Sequence, residues 1–466
     1  MNNKNIPGDF RPFAEKMRAE GVPDIVIENF KQYYQQLLQG QTGLIPESSI
    51  QPVNELPNAE ELSPDHAGIG EKTLSHTVLL KLNGGLGTSM GLEQAKSLIT
   101  AREGLTFLDI IAEHAVQSGA HLLLMNSFRT REDSLNLLQN YPSLQVSELA
   151  LDFLQHKVPK VSQHDLTPVT VATDPELEWC PPGHGDIYLA LVTSGMLDAL
   201  LQAGYQYALI SNSDNLGAVL DTSLLGYLVK EQLPFLMEVA DRTAMDKKGG
   251  HLASSGTGQL LLREAAQCPE PDRADFENIS RHKYFNTNNI WINLQVLRTT
   301  LEQNSNILNL PLIRNAKPAD PRTPDSTPVY QLETAMGAAI SVFAGAQAIR
   351  VPRSRFAPVK TTNELLLVRS DIYELSADYT LNCKLPFTQM PVIKLDKRYY
   401  QTIDDFESRF PAGAPSLTAC QHLEINGDIV FGKDITIEGS VKLNNHTGKT
   451  ITVADNTHIA KDITWD

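Results

Sequence analysis

The sequence predicts an α/β fold, on three observations. From Thr77 onward, apolar strand-like runs alternate with helix-forming segments, which implies a parallel sheet. Glycines, amides and one carboxylate gather just after the carboxyl ends of those runs, where ligands sit in such sheets. Residues 417–466 change character: they hold no proline, and short apolar–polar alternations recur with small turns between them. That is the pattern of stacked β coils, with a small β-sandwich or meander as the plainer alternative.

With 466 residues the chain is too long for one simple core, so two or three domains are expected. At 41% hydrophobic and 20% charged residues, the composition is that of a globular rather than a disordered chain. No apolar run reaches the roughly 18 residues that a membrane helix needs. The opening MNNKNIPGDFRPF carries no apolar leader segment. Cys180, Cys268, Cys383 and Cys420 form no CxxC pair and are expected as isolated reduced thiols of a cytoplasmic protein. A net charge of −16 argues against nucleic-acid and membrane partners, since both need a broad basic field. It leaves a nucleotide substrate open, because a few lysines, a metal ion and backbone amides neutralise a triphosphate locally.

Residues 10–40 read as helical. Phe30, Tyr33, Tyr34, Leu37 and Leu38 recur at helical spacing, with Pro23 near the start and Gly40 past the end. This small piece is expected to pack on its own chain, with a partner chain as the alternative. Residues 47–63 are polar and proline-containing and read as a connection. Candidate strands are 78–82, 121–125, 207–210 and 235–239. The domains expected are an N-terminal helical segment (1–55), a catalytic domain (56–375) and a C-terminal β-helix domain (376–466).

Residues 77–99, TVLLKLNGGLGTSMGLEQAKSLI, organise the chain. Gly84, Gly85, Gly87 and Gly91 let the backbone approach a ligand and point several N–H groups at one place. A helix-forming segment carrying Lys96 is expected next, and a strand, such a loop and a helix N-terminus together hold phosphate. Two common phosphate motifs are excluded by counting. GxxxxGK[ST] fails because Ser89, Met90 and Leu92 stand where its second glycine belongs, and GxGxxG from Gly85 fails at Met90. A glycine-rich turn without a ligand is the plain alternative.

Further candidates follow the later runs. Ser211-Asn212-Ser213-Asp214-Asn215 offers hydrogen-bonding groups and one carboxylate. Magnesium takes oxygen ligands and usually only one or two carboxylates, so Asp214 fits it; capping of a following helix is the common alternative. Asn286 and Asn288 stand two apart and would share a face of a strand, as sugar hydroxyls require. Residues 351–360, VPRSRFAPVK, concentrate positive charge in an acidic chain, where a solvated basic loop is the plain alternative.

These blocks resemble the UDP-sugar pyrophosphorylases, in particular the eukaryotic-type UTP–glucose-1-phosphate uridylyltransferase family. Residues 82–97 are similar to its LNGGLGTxMGxxxPKS pattern, with Ala95 where many members have proline. Related UDP-N-acetylhexosamine pyrophosphorylases carry GTRLG, and Gly87-Thr88-Ser89-Met90-Gly91 favours the glucose branch. Further matching blocks are 153–160, the PPGHGD at 181–186, Lys248-Gly249-Gly250, 285–291, and PRSRFxPVK ending at Lys360. The resemblance spans about Val78 to Tyr373. It implies a mixed, mostly parallel nucleotidyltransferase (Rossmann-like) sheet with a small helical N-terminal piece and a C-terminal β-helix serving assembly or stability.

The resemblance also implies roles. Lys96 and Lys360 would hold phosphates as the catalytic cations. Leu82, Asn83, Gly84, Gly85, Met125, Gln155, Gly183 and Asp214 would bind nucleotide, with Gln155 reading the uracil edge and Met125 and Gly183 flanking the base. His184, Asn212, Ser213, Gly250, Asn286, Asn288 and Glu333 would bind the sugar phosphate. Asp214 would carry Mg2+. UTP and glucose 1-phosphate would give UDP-glucose and pyrophosphate by in-line attack on the α-phosphorus. The attacking phosphate oxygen is already anionic, which fits the absence of a Ser–His–Asp or activated-cysteine arrangement in the matched blocks. A homo-oligomer assembled through the C-terminal domain is the expected partner. The alternatives are a pyrophosphorylase of broader sugar choice, including galactose 1-phosphate, and a non-catalytic regulatory or scaffold homologue. Joint retention of Lys96, Asp214 and Lys360 speaks against the latter. A nicotinamide-dependent dehydrogenase is disfavoured by the loop count.

Overall fold

The computed structural model describes residues 8–145, 148–243 and 246–466. Residues 1–7, which open the stretch read above for a leader, lie outside the described residues. The chain divides into two compact units. One comprises Met1–Leu80, Asp152–Ile210 and Asp221–Val351; the other comprises Lys81–Leu151, Ser211–Leu220 and Pro352–Asp466.

The first unit is built on a mixed sheet centred on Tyr284–Asn293. This strand pairs antiparallel with Tyr207–Asn212 and with Phe235–Asp241, and the latter pairs parallel with Gln347–Arg350. Thr77–Asn83 flanks Tyr207–Asn212 on its other side. The expectation of a mostly parallel sheet therefore does not hold around the central strand. Its apolar stretch is covered on both faces: Ile290, Trp291 and Ile292 have no exposed surface. Glu238, equally buried, is satisfied by Trp291 Nε1 at 2.8 Å and Asn289 Nδ2 at 2.9 Å. His251–Ser255 and Leu260–Arg263 form an adjoining antiparallel pair, and Ile50–Pro52 lies on the outer side of His251–Ser255.

The N-terminal residues form two helices, Arg11–Ala19 and Asp24–Leu38, broken at Gly21 (φ 71°) and Pro23. Phe13, Phe30, Tyr33 and Tyr34 pack with Val158, Val161 and Leu332 of the same unit. The helical piece thus packs on its own chain. The Tyr33 and Tyr34 hydroxyls donate to the carbonyls of Leu310 and Leu166, at 3.0 and 2.8 Å.

A buried polar cluster anchors the connecting segment. Glu47 accepts from Arg263 at 2.6 Å and Arg281 at 2.7 Å, with His282 Nε2 at 3.0 Å, and the His251 ring stacks on His282 at 3.8 Å. Burial, helped by the neighbouring His282, pushes His251 down to about 2. Burial also lowers His282, His114 and His121. With these histidines lowered in the folded chain, the unfolded chain binds more protons below pH ~6.5, so stability is lost as pH falls through that value. Glu264, raised by burial to about 7, acts in the opposite direction, one group against four. The melting temperature is expected to fall between pH 7 and 5, at up to about 1.4 kcal/mol per pH unit for each fully neutral histidine. A thermal melt that holds or rises over that range would contradict this.

In the second unit, the strand His121–Asn126 follows the helix Phe107–Ser118. That helix opens on a Thr106–Asp109 capping box and closes on Gly119 (φ 66°). Towards the C-terminus, Val392–Leu395, Cys420–Asn426, Gly439–Asn445 and Ile463–Trp465 pair in parallel, each with the next. Ile429–Phe431 pairs in parallel with Ile451–Val453, and Thr436–Ile437 with His458–Ile459. Leu423, Ile425, Ile429, Phe431, Ile437 and Leu443 have no exposed surface, so the alternation seen in the sequence is an in–out alternation. Asn426 Nδ2 donates to Asn444 Oδ1 at 2.9 Å across one such rung.

All four cysteines are free. Among the described residues no helix is long and apolar enough to cross a membrane.

Candidate active site

In the second unit, the glycine loop folds back on itself. Lys96 N donates to the Gly85 carbonyl at 3.1 Å, and Leu86 and Ala95 face each other as an antiparallel bridge. This closure overturns the expected helix: Lys96–Leu98 is a single 3₁₀ turn running into a short strand, Thr100–Arg102, and the next α-helix begins at Phe107. No α-helix N-terminus, and so no helix dipole, follows the loop directly. A Cβ placed on Gly85 would meet nothing, so the space before it is open. Asn83 is buried, its amide donating to Asn126 Oδ1 and Ser134 Oγ, both at 2.8 Å. Leu82 is half-buried and Met125 is buried.

The Asp214 carboxylate lies at the centre of this group. Lys96 Nζ reaches its Oδ2 at 2.6 Å and Lys360 Nζ reaches the same oxygen at 3.1 Å. Burial pushes the acid upward, but the Lys360 and Lys96 charges outweigh it and hold the carboxyl below its ordinary value. Asp214 Oδ1 is buried and has no hydrogen-bond partner. An ionised carboxylate with one unused oxygen is a fitting magnesium ligand. No cluster of three or more His, Cys, Asp or Glu side chains able to hold a metal occurs among the described residues, so phosphate and water would complete the shell. Asn212 is half-buried at the strand end, and Ser213 N donates to the Leu82 carbonyl at 3.1 Å.

The first unit gathers a second set. Gly183 adopts φ 81°, and a Cβ there would lie 2.3 Å from the Thr334 carbonyl oxygen. The loop pairs with the segment after Glu333: Thr334 N donates to Pro182 O, and Gly185 N to Thr334 O, each at 2.9 Å. His184 Nδ1 accepts from Met336 N at 3.0 Å, which assigns the proton to Nε2. Gly337 follows at once, where a Cβ would lie 2.9 Å from Asn286 Nδ2. Asn286 N in turn donates to the Gly250 carbonyl at 3.1 Å. His184, Asn286 and Gly250 are thus linked through one small-residue turn. Glu333 stands by Gly183, with Lys317 Nζ 3.8 Å away.

Asn286 and Asn288 do come together, but not by simple strand alternation. A bulge opposite Glu238 and Val239 puts Asn288 at φ 59°, and Asn286 Nδ2 donates to Asn288 Oδ1 at 2.7 Å. Gln155 is half-buried just beyond Asp152–Leu154. Its neighbour His156 is locked by Asp186, which accepts from His156 N at 2.7 Å and sits 2.8 Å from Nδ1. Thr193 Oγ1 lies 2.9 Å from His156 Nε2. The chain therefore holds a Thr–His–Asp line that the sequence blocks concealed, and it fixes the Gln155 backbone.

Sequence reasoning missed Glu264. Its carboxylate packs over Gly250, where a Cβ would lie 2.4 Å from Oε2. Only the His251–Ser255/Leu260–Arg263 pairing brings it there, and nothing in its local pattern signals this.

The model of the UTP–glucose-1-phosphate uridylyltransferase family matches residues 27–438. The chain belongs to that family. It is 40% identical over 402 residues to a UTP–glucose-1-phosphate uridylyltransferase of Pyrus pyrifolia, covering 84% of this chain and 83% of the relative. The enzyme of the same name from Saccharomyces cerevisiae is 41% identical over 375 residues, or 79% and 74%. Among solved structures, a UDP-glucose phosphorylase from Trypanosoma brucei superposes with TM-score 0.89 at 43% identity, covering 98% of this chain and 100% of that one. A Leishmania major UDP-glucose pyrophosphorylase mutant in complex with UDP-glucose gives 0.88 at 40% identity, covering 99% of each. The chain is accordingly an enzyme, a nucleotidyltransferase.

Ala95 stands where the resemblance gives many uridylyltransferases a proline. Its φ of −57° is the value that proline imposes, and its N–H lies outside the Lys96–Gly85 bond that closes the loop. Ala95→Pro is therefore expected to stabilise by about 0.4–1 kcal/mol with turnover preserved, since it restricts mainly the unfolded chain. Thermal melts and steady-state rates check this; a lowered melting temperature would contradict it.

Proposed function

We propose that the chain makes UDP-glucose and pyrophosphate from UTP and glucose 1-phosphate by in-line attack of the sugar phosphate on the α-phosphorus of UTP. The observation that carries this reading is the Asp214 carboxylate held between Lys96 and Lys360, beside an open glycine loop. The nucleophile is already anionic, so the obstacle is repulsion between two phosphates rather than a missing base. Alignment and charge neutralisation are then the main catalytic work.

In this reading, Lys96 and Lys360 hold the phosphates of the attacking and leaving groups, and the backbone around Asn83, Gly84 and Gly85 donates to phosphate oxygens. A magnesium ion on Asp214 Oδ1 would supply further charge neutralisation. Leu82 and Met125 shape the nucleotide side, and Gln155 reads uracil with one donor and one acceptor, with Gly183 backing the base. His184 Nε2–H, Asn212 and Ser213 serve the sugar phosphate. The polar groups of Gly250, Asn286, Asn288 and Glu333 take sugar hydroxyls, joined by Glu264.

The parallel C-terminal ladders are read as a β-helix, with the 376–466 region serving homo-oligomer assembly or stability, 1–55 a helical appendage, and 56–375 the catalytic domain. The free cysteines support a cytoplasmic setting. The test is UTP-dependent pyrophosphate release with glucose 1-phosphate and magnesium. Release with galactose 1-phosphate at a similar rate would move the reading to a broader pyrophosphorylase. No release with any sugar phosphate would overturn it.

A further inference from the structure

Lys360 belongs to a side chain that is 57% exposed, yet its Nζ stands 3.1 Å from Asp214. Residues 214–217 and 354–360 are stitched together by the side-chain amide of Asn215, which is fully buried. Asn215 Oδ1 accepts from Ala357 N at 2.9 Å and from Gly217 N at 3.2 Å, while Nδ2 donates to the Arg355 carbonyl at 3.1 Å. The main chains also meet: Val359 N donates to Asp214 O at 3.1 Å, and Asn215 faces Pro358 as an antiparallel bridge. A Cβ on Gly217 would lie 2.3 Å from Ser354 O, so the two backbones touch. Lys81 closes the loop from below, its buried Nζ donating to Ser211 Oγ at 2.8 Å and Ala218 O at 2.6 Å.

We propose that Asn215 is a positioning residue for the reaction: its amide places Lys360 beside Asp214, and so sets how much Lys360 contributes to the transition state. The inference rests on Lys360 acting on the phosphates. Only an amide satisfies the geometry, because two backbone N–H groups and one carbonyl must be met by one side chain. A carboxylate of the same shape would lose the donor to Arg355 O and add a second negative charge beside Asp214.

The test is a double-mutant cycle on the full chain, with kcat and both KM values measured for wild type, Asn215→Ala, Lys360→Ala and the double variant. Asn215→Ala is expected to lower kcat by about tenfold or more, and by less than about threefold once Lys360 is already alanine. A merely structural role would lower turnover by the same factor in both backgrounds, and that result overturns the proposal. Asn215→Asp, which preserves shape, provides a second variant should alanine fail to fold. It is expected to lose turnover with the same dependence on Lys360, and wild-type turnover in it would also overturn the proposal. If Lys360→Ala alone leaves turnover unchanged, the assignment of Lys360 fails first and the inference falls with it.

Discussion

Replacing Lys360 by alanine is expected to lower turnover by roughly 10²-fold or more, the order seen when one preorganised transition-state donor is removed. The expected effect is electrostatic. Two phosphate esters approach each other, and a cation that is stronger in the transition state than in the ground state acts on kcat. Lys360 is mostly exposed, so its removal should cost little folding stability. Asp214 keeps Lys96 at 2.6 Å. The loss should therefore appear in steady-state kcat with an unchanged melting temperature. Near-normal turnover would remove Lys360 from the mechanism.

Asp214→Asn carries the other large effect. The amide keeps the shape but removes the charge that neutralises Lys96 and Lys360 and the oxygen left free for a metal ion. Two ammonium groups within hydrogen-bond reach of one site would then repel each other, while the proposed magnesium ion would lose its protein carboxylate. Turnover is expected to fall by about 10²-fold, with the magnesium titration displaced to concentrations at least about tenfold higher. An unchanged metal titration would count against the assignment.

Much of the fold was legible because strands buried on both faces write continuous apolar runs. The runs at 78–82, 121–125, 207–210 and 235–239 emerge as Thr77–Asn83, His121–Asn126, Tyr207–Asn212 and Phe235–Asp241. What was lost is what depends on distant closure. The segment around Lys96 has helix-forming residues, but the bond from Lys96 N to Gly85 O overrides their propensity. The direction of Tyr284–Asn293 and its bulge follow from its neighbours, which local alternation does not encode.

The site divides the same way. Lys96 and Lys360 stand 118 and 146 positions from Asp214, so no spacing rule joins them; the resemblance of separate blocks did. Glu264 carries no motif of its own and only its packing against Gly250 reveals it, while Asn215 stands in the 211–215 block but shows its partners only through packing against Ala357.

The proposed mechanism requires that Gly85, Lys96 and Lys360 form a single phosphate-binding face around Asp214. A crystal of the full chain soaked with UDP-glucose tests it most directly. The diphosphate is expected against the Gly84–Gly85 backbone and within hydrogen-bond reach of the lysines. A well-ordered diphosphate bound away from all three would contradict the account.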